Sequence, residues 1–147
     1  MKTTKAHPKF VEWFSPNVMH ENSIEWLSDL KFINDELMFF DDLIKSYTLQ
    51  LLDSDRYNES KILIEKLSEL HKKNNSLIRI VQRHNNDLKV MVDGIDQPDL
   101  EETYKNEHRE LILKVNEFIK KCKTLKKELF NLIKAIIKEQ KQKRLLE

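Results

Sequence analysis

Apolar residues along this chain fall into three runs that share a seven-residue beat. In the first run Met19, Trp26, Ile33, Phe40 and Tyr47 recur every seven positions, with Leu30, Leu37, Ile44 and Leu51 recurring between them. Alternating steps of three and four keep such residues on one side of a helix with about 3.6 residues per turn, which makes a heptad seam. The second run is Leu63, Leu67, Leu70, Leu77, Val81, Leu88 and Met91, with Asn74 and His84 filling two seam positions. The third is Tyr104, His108, Leu111, Val115, Phe118, Cys122, Leu125, Leu129, Leu132 and Ile136. The pattern predicts three long helices at about 16–53, 57–93 and 99–147.

Local signals mark the boundaries. Ser15-Pro16 places a capping hydroxyl before a proline at the first helical position, and Phe14 with Met19 has the spacing of a hydrophobic staple. A second cap is available at Asn22, with Glu25 three residues on, but the start at 16 is favoured. The stretch DSDRYNES reads as a turn, Asp93-Gly94 as a stop, and Gln97-Pro98-Asp99 with Glu102 as a new start. Short connections make neighbouring helices antiparallel. The predicted fold is therefore all-α: an antiparallel, up-down-up, coiled-coil-like three-helix bundle over 15–147, its third helix the longest at roughly 70 Å and the others about 55 Å. Residues 1–14 read as an arm made apolar by Phe10, Val11, Trp13 and Phe14. Trp26 early in a three-helix heptad pattern is similar in architecture to a spectrin-like repeat. That resemblance is one of pattern and implies no functional residue.

Composition agrees with long helices and few loops: 147 residues contain one Gly and three Pro, and 35% are charged. Such a length buries a core without disulfides or metal. The single Cys122 fits a reducing compartment, and neither a signal-peptide run nor a membrane-span run is present, so a cytoplasmic chain is expected. Net charge is +1, but it is unevenly placed. Residues 21–53 hold eight acids against Lys31 and Lys45, and residues 111–147 hold eleven Lys or Arg against four Glu. The first and third helices should attract each other, and each leaves a face of one sign.

Counting outward from the loops sets Leu51 near Leu63 and Leu132, Trp26 near Leu88 and His108, and Leu30 near His84 and Leu111. It also makes Leu37, Leu77 and Phe118 one central layer and sets Asn74 beside Phe40 and Cys122, where a polar seam residue would fix register. His20, His84 and His108 then gather at one end, near Glu25, Asp29, Asp87 and Glu107. Bundles build metal sites from such groups, but the usual ligand spacings are absent, so no metal and no cofactor is expected. The alternatives for this end are hydrogen-bonded core histidines, a pH-responsive pair, or a metal- or small-ligand-binding site. Cys122 lacks a nearby base and is expected to be buried and inert. Lys120, Lys127, Lys134 and Lys141 stand one heptad apart on the outward face, with no aromatic between them. They are a solvated face or, as an alternative, a phosphate-tracking surface for nucleic acid.

The apolar residues off the seam carry the leading expectation. Phe32 and Phe39 point outward from the first helix, and Phe130 and Ile137 from the third, toward the opposite end. Leu145 and Leu146 extend the second patch on an overhanging tail. The arm, a second copy or a protein partner should cover them. With no paired catalytic carboxylates or histidines, the sequence points to a non-enzymatic helical interaction protein that binds a protein partner or forms a homo-oligomer.

Overall fold

The computed structural model describes residues 15–93 and 98–146, and over them the fold is all-α, with no strand. Four helices follow one another: α1 (Pro16–Ser46), α2 (Thr48–Leu52), α3 (Tyr57–Val92) and α4 (Pro98–Leu146). The arm at 1–14, the Phe14 half of the staple and the Gly94 stop lie outside the described residues. No helix among those described is long and apolar enough to cross a membrane.

Helix α1 starts at Pro16, with the Ser15 hydroxyl accepting the Val18 amide at 3.2 Å. Asn22 is therefore no cap and is free for another task. The single helix expected over 16–53 is two, because the backbone departs from helical geometry at Tyr47. Hydroxyls on both sides of the break explain it. Ser46 donates to the Asp42 carbonyl at 3.1 Å, and Thr48 donates to the Lys45 carbonyl at 2.9 Å. Such back-bonding offers carbonyls an alternative to the helical ladder and bends it. Short α2 still returns Leu51 to the core. Asp99 lies inside the first turn of α4 rather than capping it, where its charge still suits the helix dipole.

Contacts between helices give direction and register. The Ser23 hydroxyl donates to Asn85 at 2.8 Å, the Asn74 amide donates to the Leu30 carbonyl at 3.0 Å, and His71 meets Asn34 at 2.9 Å. Numbers rise along α1 as they fall along α3, so these two run oppositely. Asn22 meets His108, Glu36 meets Lys126, and Asp53 meets Lys143, so α1 and α4 run the same way.

The register between α1 and α3 differs from the one counted from the loops. Asn74 reaches the level of Leu30, not of Phe40 and Cys122, and His84 stands level with Ser23 rather than Leu30. The displacement is about one heptad, roughly 10 Å. A heptad seam matches itself after every seven residues, so apolar pattern alone does not tell these registers apart. Trp26 does lie on His108, ring centroids 4.7 Å apart.

The core is continuous from Met19 to Ile136, and Leu30, Leu37, Val81, Leu88, Val115 and Leu129 are among its deepest members. Asn74 is wholly buried in it, and its Oδ1 has no partner among the described residues. An unmet buried acceptor costs about 1–3 kcal/mol.

Candidate functional site

The sequence singled out two regions, a histidine end and a set of outward apolar residues, and the structure reorganises both. At the histidine end α1, α3 and α4 bring a polar layer into the core. His84 and His108 are buried, and their rings stack at 5.1 Å. Four groups form a line. Glu107 Oε1 lies 2.7 Å from His84 Nδ1, His84 Nε2 lies 2.9 Å from His108 Nδ1, and His108 Nε2 lies 3.4 Å from the Asn22 amide nitrogen.

With Glu107 ionised, bonding logic sets the protonation along this line. An ionised carboxylate only accepts, so His84 donates from Nδ1. A neutral His84 then accepts at Nε2, His108 donates from Nδ1, and His108 Nε2 accepts from Asn22. Both imidazoles are neutral in this arrangement. Burial holds the His84 pKa below its ordinary value, partly opposed by Glu107. Burial and neighbouring His84 push His108 down to about 3. With every ring nitrogen engaged, no lone pair is aimed at an open site. No group of three His, Cys, Asp or Glu side chains that could hold a metal ion occurs among the described residues. His20 meets this layer through its backbone, its carbonyl accepting the Ser23 hydroxyl at 2.7 Å.

Cys122 is buried, and burial pushes its thiol up to about 11. His71, a histidine on α3, is hydrogen-bonded to Asn34. A neutral, enclosed thiol is a poor nucleophile.

The outward apolar residues divide. Phe32, Phe39 and Phe130 are 63%, 60% and 56% exposed. Ile137 is not part of an outward patch: it is half-buried and packs on the core. It follows buried Ile133 by one turn, and α4 presents a wider apolar stripe there than the seam alone predicts. Leu145 and Leu146 are exposed at the end of α4.

Nor do the phenylalanines sit at opposite ends. Glu36 and Lys126 are bonded at 2.6 Å across α1 and α4, which run the same way. Phe39 lies three residues past Glu36, and Phe130 four residues past Lys126. Both are thus about one turn beyond the same ion pair. At about 100° per residue, Phe39 and Phe32 lean from α1 toward the outer side of the groove, and Phe130 leans from α4 toward the same side. The three side chains thus lie on one face of the α1–α4 pair. Counting from the loops missed this because it set α1 about one heptad out of register with α3, and α4 moves with α3.

Lys120, Lys127, Lys134 and Lys141 are all exposed. The expectation of lysines without an aromatic is corrected at one point, since the Lys134 ammonium stands 5.5 Å from the centre of the Phe130 ring. Replacing Lys127 and Lys134 with Gln should change unfolding free energy in dilute protein by no more than about 0.5 kcal/mol each. Denaturant melts check this, and a loss several times larger would mean that these side chains hold the monomer together. No protein-family model matches the sequence, spectrin-like repeats included, and no curated protein or solved structure is detectably similar to it.

Proposed function

We propose that this chain is a non-enzymatic helical interaction protein whose docking face is the aromatic patch over the groove between α1 and α4. The observation that carries the reading is the convergence of Phe32, Phe39 and Phe130, each more than half exposed, on one side of the Glu36–Lys126 pair. Burying a phenylalanine side chain is worth about 1.5–3 kcal/mol. Large aromatics grouped in this way, with charged residues at the rim, have the composition of an interface centre. The histidine end supports the same reading indirectly, since its polar groups satisfy one another.

The test is site-specific photocrosslinking in cells. A benzophenone side chain at position 39 or 130 should attach this chain to another polypeptide, whereas the same group at exposed Lys66, on α3, should not. Equal yields from all three positions, or none from 39 and 130, would remove the docking face.

A further inference from the structure

Resting on that reading, we infer that the partner is a second copy of this chain, docked face to face about a two-fold axis parallel to the helices. The argument is the order of side chains across the face. Glu36 and Lys126 mark its middle, one on each helix. Asp35 precedes Glu36 by one residue, and Lys127 follows Lys126 by one residue. Because α1 and α4 run the same way, a step of about −100° on one and +100° on the other turns both side chains to the same outward side. Asp42 repeats Asp35 one heptad on, and Lys134 repeats Lys127. All four are exposed.

The face therefore carries Asp35 and Asp42 along its α1 margin, with exposed Lys31 one turn before them, and lysines along its α4 margin, with Phe39 and Phe130 between. It is opposite in sign at its two margins and apolar at its centre. A two-fold axis along the helices exchanges left and right without reversing the ends. It lays α1 of one copy on α4 of the other, Phe39 against Phe130, and Asp35 and Asp42 level with Lys127 and Lys134. An axis across the helices would lay α1 on α1, acid on acid, which like-charge repulsion disfavours. An isologous contact needs a surface complementary to itself, and this face has that property. Net charge of +1 gives little long-range repulsion between copies.

Charge exchange on the full chain tests the arrangement. Light scattering should give twice the mass of one chain for the natural sequence. Asp35→Lys with Asp42→Lys should weaken association by at least about tenfold, and so should Lys127→Glu with Lys134→Glu, because each sets like charges opposite one another. Combining all four should restore most of the affinity, since the margins are then exchanged but still complementary. Circular dichroism of each variant checks that the monomer stays folded, and Phe130→Ser, which leaves the charges alone, should also give monomers.

A monomer at high concentration would overturn the second copy, and so would a dimer that the fourfold exchange fails to restore. Photocrosslinks from position 39 that join this chain to a different protein would overturn it while leaving the docking face intact. Crosslinks confined to residues 1–14 of the same molecule would remove both.

Discussion

Phe118→Ala should lower the unfolding free energy by about 3–5 kcal/mol, and Leu37→Ala and Leu77→Ala by about 2–5 kcal/mol each. All three side chains are buried, so truncation removes apolar contact and leaves a hole that neighbouring helices fill only in part. Their coupling is the sharper expectation. Leu77 and Phe118 line the same groove between α3 and α4, so their double variant should depart from additivity. Leu37 belongs to another layer. The Asn74–Leu30 bond sets the level, from which Leu37 lies about 10 Å one way and Leu77 about 4.5 Å the other, given 1.5 Å per residue. Pairs so far apart usually add within about 0.5 kcal/mol. Guanidinium melts of the single and double variants decide it. Strong coupling between Leu37 and Leu77, with none between Leu77 and Phe118, would restore the register counted from the loops.

Acid should destabilise this chain through its buried histidines. Both His84 and His108 have folded-state pKa values held below the ordinary 6.5, His108 at about 3. A depressed value means that the unfolded chain binds protons that the folded chain refuses. The contribution is whole above pH 6.5 and falls as pH drops below it, continuing for His108 to near 3. Each refused proton costs about 1.4 kcal/mol per pH unit in that window. Denaturant midpoints between pH 6.5 and 5, above most of the carboxylate range, isolate the effect. His84→Gln with His108→Gln should flatten the slope even though it lowers stability at pH 7. An unchanged slope in that variant would show that the acid sensitivity lies elsewhere.

The helices were legible because burial in a bundle writes itself into spacing. Met19, Leu30, Leu88 and Leu129 are wholly buried where the heptad places them. Ser15-Pro16 marks the start of α1 because capping is local chemistry. The break at Tyr47 was not legible, since Ser46 and Thr48 act through back-bonds that an intact helix also permits. Register was lost for a deeper reason, which is that a seven-residue repeat fits itself at every seventh residue. The clue was Ser23, which continues the series of Leu30, Leu37 and Ile44 and so brings a hydroxyl to the seam. Reading it as one member of a polar layer with His84 and Asn85 would have corrected the offset. The same correction brings Phe39 and Phe130 together.

The line from Asn22 to Glu107 has a property that its distances alone do not announce. Its bonds all point one way, toward the carboxylate. The same heavy atoms also support the opposite sense: a protonated Glu107 donating to His84, His84 donating from Nε2 to His108, and His108 donating from Nε2 to Asn22, whose amide turns over to present its oxygen. The two senses differ by one proton and one amide flip, and the imidazoles stay neutral in both. Glu107, at one end of the line, is 44% exposed, while His84 is wholly enclosed. The buried pair is neutral in either sense, so the ends of the line, and not its middle, set which way it points.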